Sequence, residues 1–398
     1  SGERLRLWDQ LGELCAAADD RRDDALTAFE VALSLDHDNL ERRERLADLY
    51  TGADPKHFIA AVAHHHAILA SHKRRIASYQ ALRAWYRRTV QPEKARAISD
   101  ALDALERNTD TPPAGVRRGP RTAEHTLFKP SADTASGARV PLGNDDWIAL
   151  GASGVDPQLS ALFALVAPAF VAARTRPPPA TELPELRSLR EHASITRVVD
   201  HVAKMFGVAC PPVYADRGQL IACAAPLRPA TGGMLAPVLV LGVPALDRQL
   251  DDSELAFVLA RQLADLRSDR FARLLCPRAA ELAQIVELAL AGSRWLTTAL
   301  GAVEHDQVQA LATRLRDRGV DPVRAARGWL TATDRAADRI GLAITGDLAA
   351  CVRVLEREAR AGGDPQRITE LIWGSSTEDV LSVRARLERW PARTPITN

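Results

Sequence analysis

The 398-residue sequence has no surplus of charge of either sign: Lys plus Arg total 52 against 51 for Asp plus Glu. A protein that grips phosphates shows a basic footprint, so nucleic acid is not the expected partner. Nearly all the cations are Arg and alanine is abundant, which a GC-rich coding bias explains. Cysteine is sparse, with five residues at positions 15, 210, 223, 276 and 351 and no C-x-x-C pair. That leaves neither a zinc knuckle nor a disulfide framework, and fits free thiols in a reducing, cytoplasmic setting. Long hydrophobic runs are missing as well. The most apolar stretch, Leu159 to Ala173, contains Pro168 and is too short to span a bilayer; it reads as a buried helix. No charged-then-apolar leader opens the chain. Ser1-Gly2, followed at once by a helical pattern, reads as a cloning scar, so the expectation is a piece of a larger protein. A Walker motif, a G-x-S-x-G elbow and a recognisable Cys/His pair are all lacking. Gly232-Gly233 lies between two strand-like runs and Gly362-Gly363 ends a helix, so neither pair is a phosphate loop.

What is present is the make-up of a globular protein of two or three domains, 46% apolar and 26% charged. Residues 3–107 carry a helical pattern throughout. Trp8, Leu11, Gly12 and Cys15 share one helical face, Ala25, Phe29 and Ala32 another, and Leu35 to Asn39 closes the unit. A weaker copy has Leu46, Ala47 and Tyr50, then a helix from Phe58 to Ser71. A third has Tyr79, Leu82 and Tyr86, then Lys94 to Leu105. The first unit resembles the tetratricopeptide repeat, whose helices carry W-x2-L-G-x2-Y and A-x3-F-x2-A before a Pro. Cys15 stands for the Tyr, His37 for the Pro, and one residue is inserted between the helices. The resemblance implies three helix pairs, each burying against the next a face it cannot bury alone, and an arm that binds a protein or peptide. A generic helical bundle is the alternative.

Two features of the arm invite other readings. His57, His64, His65, His66 and His72 are dense, and the pairs 57/64 and 65/72 are spaced to share a helical face. A metal site is one reading, but no acid or Cys at suitable spacing accompanies them, and packing or surface roles are favoured. Arg42-Arg43, Lys73-Arg74-Arg75, Arg87-Arg88 and Arg117-Arg118 make the arm locally basic. A solvated helix face or a groove for acidic peptides explains them better than nucleic acid.

Residues 108–145 are punctuated by Pro and Gly and read as a linker, partly extended or disordered, in which Leu127 and Phe128 are free to dock locally. From 146 to 398 the pattern is again that of a folded domain. Pro157 to Arg174 and Leu186 to Phe206 read as helices. Val213-Tyr214, Gln219 to Ala224 and Val238 to Leu241 read as short strands of a small sheet. Asp251-Asp252-Ser253-Glu254 opens a helix with acid in its first turn, expected from Leu255 to about Leu275, and the rest is helical to Trp390.

The run APVLVLGVPALDRQLDDSELAFVLARQLADLRSDR within Pro212 to Arg270, with ATGG before it, resembles zinc peptidases of the HtpX and CAAX-prenyl-protease kind, which are gluzincins. In these a strand pair and an acidic turn lead into a helix bearing H-E-x-x-H. Downstream, TDRAADRIGL fits the segment that supplies the third ligand, with Asp334 at the Glu position and Asp338 at an accompanying Asp. WGSSTEDVLSVRARLERW sits where such domains end. The likeness covers roughly Asp146 to Trp390 and implies an α+β zincin-like domain.

The ligand positions have changed. Arg261 occupies the first His position, Gln262 the Glu position and Asp265 the second His position. A guanidinium stays protonated and cannot ligate a metal; a Gln cannot act as general base. Two carboxylates are a poor set for Zn²⁺. No cofactor, no metal and no catalytic residue is therefore expected, and Arg261, Gln262, Asp265, Asp334 and Asp338 are vestigial positions. The expected replacement is an ion-pair cluster in which Arg261 bridges to Asp334 and Asp338, with unrelated surface charges as the alternative. The chain as a whole reads as mainly α: a tetratricopeptide-like arm followed by a degenerate peptidase-like domain. The expected role is a non-catalytic scaffold or adaptor with no membrane span, binding protein or peptide through the repeats and through Val238 to Leu241 as an edge strand. A metal-dependent hydrolase with an atypical site and a purely structural segment of a larger protein are the alternatives.

Overall fold

The computed structural model describes residues 2–18, 20–51, 57–109, 141–151, 154–173, 185, 192–224, 227–229, 235–276 and 278–388. The linker reading for 110–140, the Gly232-Gly233 pair and the terminal Trp390 lie outside these. Among the described residues helix dominates, with one small three-stranded sheet and one two-stranded hairpin. No described helix is long and apolar enough to cross a membrane.

The first six helices are α1 (Gly2–Ala16), α2 (Arg22–Leu35), α3 (Leu40–Thr51), α4 (Phe58–Ser71), α5 (Ile76–Arg88) and α6 (Pro92–Thr109). They pack as three pairs, α1 with α2, α3 with α4 and α5 with α6, and α2 lies on α3 as α4 lies on α5. Small residues permit the approach within a pair. Gly12 faces the ring of Phe29, where a Cβ would lie 2.8 Å from the nearest ring carbon. Ala25, Ala28 and Ala32 are wholly buried on α2. Between pairs, Leu26 and Phe29 share one core cluster with Leu46, Tyr50, Ala61 and Trp85.

The second group opens with α7 (Asn144–Gly151), α8 (Pro157–Ala173) and α9 (Ala193–Phe206). Five strands follow: β1 (Val213–Ala215), β2 (Cys223–Ala224), β3 (Leu227–Pro229), β4 (Leu235–Pro237) and β5 (Leu239–Leu241). Strands β3 and β4 form an antiparallel hairpin. The sheet has the order β1-β5-β2, with β5 parallel to β1 and antiparallel to β2. Val238 to Leu241 is therefore not an edge. Leu239, Val240 and Leu241 are buried on both faces, the mark of a central strand, and both hydrogen-bonding edges of β5 are in use. The β1–β2 loop folds over its end, so that a Cβ on Gly242 would collide with the carbonyl oxygen of Ile221.

Helices α10 (Val243–Leu246) and α11 (Asp252–Ala264) follow, then α12 (Ala272–Leu275), α13 (Ala279–Leu290), α14 (Arg294–Ala299), α15 (Ala302–Asp317), α16 (Pro322–Thr345) and α17 (Leu348–Arg360). The single helix expected to reach residue 275 is two: α11 ends at Ala264, and the chain turns before α12. Helix α11 is apolar nearly all round and is buried along its length, as such a helix must be. Helices α9, α16 and α17 enclose it. A separate core joins α8, α12, α13, α15 and the first half of α16 around Trp329, whose indole donates to Ser160 Oγ at 2.8 Å.

The last helices are α18 (Gln366–Gly374) and α19 (Glu378–Glu388). By packing the chain forms two units. One holds the described residues up to 109 together with Pro365–Leu381; the other holds those from 141 to Asp364 and from Ser382 to 388. Within the first unit α18 packs on α6, Lys73 pairs with Glu370 at 2.6 Å, and its ammonium stands over the Trp373 ring.

Candidate functional site

The peptidase resemblance directs attention to α11 and α16. The start of α11 is fixed by its sequence. Asp251 caps it, accepting from the Glu254 backbone N–H at 2.8 Å, while the Glu254 side chain accepts from the Asp251 N–H at 3.1 Å, a complete capping box. Glu254 is buried and also accepts from Arg353 Nε and Arg357 Nη2 of α17, both at 2.6 Å. Burial alone would push its carboxyl up; the two guanidiniums outweigh that and hold it below the usual carboxylate range.

Helices α11 and α16 run antiparallel in close register. Gly341 lies against Phe257, where a Cβ would sit 2.5 Å from the ring. One turn on, Arg261 Nε stands 3.1 Å from Asp338 Oδ1, close enough for an ion pair but without hydrogen-bond alignment. A further turn on, the charge of Asp334 acts on Asp265. Residues 261 and 265 thus look across at 338 and 334 respectively.

The expected single cluster is two. Arg261 donates from Nη1 to Glu358 of α17 at 2.7 Å and lies over the Phe257 ring, in addition to its contact with Asp338. Glu358 is held in place by the end of its helix: Gly362 has φ +95° and the Gly363 N–H donates to the Glu358 carbonyl at 2.9 Å, a Schellman motif. Asp334 pairs not with Arg261 but with Arg273 Nε at 3.1 Å. Asp265 pairs with the buried Arg270 at 3.3 Å, whose Nη2 also donates to the Thr333 carbonyl of α16 at 2.6 Å. Burial raises the Asp265 carboxyl, Arg270 and Arg273 oppose the rise, and Asp334 adds to it. Gln262 is half-buried. Arg270, Arg273 and Glu358 escaped the sequence reading. The first two follow Asp265 by five and eight residues, a spacing that matters only because the chain turns there; Glu358 is 97 residues from its partner.

The residues do not fit Zn²⁺. Arg261 offers donors only, and the two carboxylates at 265 and 334 are each committed to a guanidinium, leaving no set of three or four ligands with free lone pairs. No family model, curated protein or solved structure matches the chain.

In the first unit the histidines divide by environment. His57 and His64 do share a face, both rings lying against Tyr50 at 5.4 and 5.5 Å. His66 Nε2 is 3.2 Å from the Tyr86 hydroxyl. His65 is buried with neither ring nitrogen hydrogen-bonded, and burial, with the charges of its two neighbours, lowers it to about 4. His72 is exposed. Among the described residues no three His, Cys, Asp or Glu side chains are placed to hold a metal.

A cleft of about 470 Å³ lies between α1 and α3, lined by Asp9, Glu13, Glu41, Glu44 and Asp48 against Arg42 and Arg45, with Phe29 and Asn39. Arg42 is buried and fully engaged, with Asp9 at 2.8 and 2.9 Å and with Asp36 at 3.2 Å. Arg45 is bonded to Glu13 and Arg75 to Glu44. Glu41 and Asp48 stay exposed. This cleft is acidic, although the run of Arg pairs pointed to a groove for acidic peptides.

Proposed function

We propose that this chain is a non-catalytic protein–protein interaction scaffold, a tetratricopeptide-like arm joined to a zincin-like domain whose metal site has become a set of ion pairs. The observation that carries the reading is the antiparallel register of α11 and α16. It sets 265 opposite 334 and 261 opposite 338, the relation that two imidazoles, a third ligand and a supporting carboxylate have in the peptidases this segment resembles. In that frame Arg261 ties α11 to α16 through Asp338, while Arg270, which holds Asp265 and the Thr333 carbonyl, and Arg273, which holds Asp334, brace the segment after α11 against α16 where a metal would otherwise act. Charge pairs of this kind fix geometry more than they add net stability.

The arm is the binding element in this proposal. Stacked helix pairs present a continuous surface to a partner, and the cleft between α1 and α3 favours an extended segment carrying Arg or Lys, which Glu41 and Asp48 would meet. With β5 central in its sheet, the vestigial domain has no role in strand addition through Val238 to Leu241.

Two measurements test the reading. Elemental analysis of the purified chain after dialysis against zinc should find no stoichiometric Zn²⁺; one equivalent held through Asp265 and Asp334 would overturn it. Calorimetric titration with Arg-rich and Glu-rich peptides of equal length should show binding of the Arg-rich one alone, weakened by salt and by Glu41→Lys with Asp48→Lys. Equal indifference to both peptides would remove the cleft from the proposal.

A further inference from the structure

The charged groups that line the cleft between α1 and α3 are of two kinds. Arg42 is held by Asp9 and Asp36, Arg45 by Glu13, and Glu44 by Arg75; these already have their counter-charges. Glu41 and Asp48 also line the cleft, but they are exposed and take part in none of these pairs. Both stand on α3, seven positions apart in the sequence. They therefore share one helical face, about 10.5 Å apart along the axis. Arg45 lies between them on that face, four positions after Glu41 and three before Asp48. The cleft thus offers two acidic points with a cation between them.

We infer, resting on the cleft as the arm's binding element, that its ligand is a polyproline II segment with Arg or Lys at two positions three apart and no cation between them. The spacing follows from backbone geometry. In a β-extended segment side chains share a face at separations of two and four, about 6.6 and 13.2 Å, and neither matches the span from Glu41 to Asp48. A polyproline II helix has three residues per turn and rises about 3.1 Å per residue, so residues three apart share a face about 9.3 Å from one another. That leaves each cation within side-chain reach of one carboxylate. At separations of two or four the second side chain is turned about 120° away. Arg45 repels a third cation at the midpoint, which disfavours a run of adjacent Arg. A polyproline II segment is also extended before it docks, so it loses little chain entropy on binding.

Calorimetric titration of the full chain with three Pro-rich peptides tests it. They have equal length and equal charge, and each carries two Arg separated by one, two or three Pro. The peptide with Arg-Pro-Pro-Arg should bind tightest, by about two- to five-fold, the worth of one exposed ion pair. Glu41→Gln and Asp48→Asn, both at exposed positions, each leave a single acidic point. In either variant, with helicity unchanged, the three peptides should bind alike and more weakly than Arg-Pro-Pro-Arg binds the unaltered chain. Equal binding of all three by the unaltered chain, tightest binding at another spacing, or a preference that survives both substitutions would overturn the spacing and leave the cleft a site for cations. Binding of none of the three would overturn the spacing and the cleft reading together.

Discussion

Gly341 and Phe257 are in contact so close that any side chain at 341 must displace the Phe257 ring: a Cβ there would lie 2.5 Å from Cδ2 and 2.8 Å from Cε2. Both residues are buried, and the contact sets the distance between α11 and α16 that the Arg261–Asp338 pair spans. Gly341→Ala should therefore cost stability despite the gain in helix propensity, by about 1–3 kcal/mol as in other overpacked cores. Phe257→Leu should relieve part of that cost, so the double variant should lose less than the sum of the two singles. Urea unfolding of the four proteins checks it. Additive losses would mean that the two residues do not constrain one another.

The buried partner of Arg261 gives the second expectation. Asp338 is 2% exposed, so Arg261→Met should remove a cationic partner from a buried carboxylate, and Asp338→Leu should leave the guanidinium with Glu358 as its acidic partner. Breaking a buried pair from one side costs about 3–5 kcal/mol, while replacing both partners by apolar groups is often neutral. The double variant should accordingly be more stable than either single one. Chemical denaturation decides the matter; a double variant no better than the singles would show that the pair contributes little.

Some of this was legible in the residues and some was not. The helix pairs of the arm followed from periodicity, because Trp8, Leu11, Gly12 and Cys15 can share a face in only one kind of element. The strand Val238 to Leu241 was placed correctly, but its position in the sheet was not, since strand order depends on which distant segments pair with it. Its unbroken apolar run was the available sign of a central strand. The adjacency of α11 and α16 was expected from the resemblance alone. The Arg261–Asp338 pair was expected; the partners of Asp265 and Asp334 were not, because Asp265 ends α11 and the turn after it delivers Arg270 and Arg273 to sites that a continuing helix would have carried elsewhere. The grouping of α18 with the first unit rests on contacts such as Lys73–Glu370, 297 residues apart, which no local pattern encodes.

The register also predicts what would build a metal site on these two helices. Arg261→His, Gln262→Glu, Asp265→His and Asp334→Glu, made together with Arg270→Leu and Arg273→Leu, would supply three ligands from two adjacent helices, with Asp338 placed to support the imidazole at 261. The combined variant should take up about one Zn²⁺ per chain and gain thermal stability on doing so, as binding to the folded state alone requires. A folded variant that takes up no zinc would break the link between this helix pair and the peptidases it resembles.

The histidines of α4 make the first unit sensitive to acid in a calculable direction. Burial is the main cause that lowers His65 from 6.5 to about 4, with His66 and His64 adding to it, and burial lowers His64 and His66 as well. In the unfolded chain these rings take up protons below their ordinary pKa; in the folded one His65 does so only near the lower value. Between the two the unfolded state binds the extra proton, so stability is full above the ordinary value and falls as pH drops toward about 4. For His65 alone the loss across that window is roughly 3 kcal/mol. Hydrogen exchange of α4 and α5 amides should therefore show less protection near pH 5 than near pH 7 after correction for intrinsic rates. His65→Leu keeps an apolar group of similar size where neither ring nitrogen has a partner, and should remove most of the difference. An equal acid response in that variant would assign the effect to His64, His66 or carboxylates elsewhere in the unit, because only a proton taken up at position 65 is abolished by the substitution.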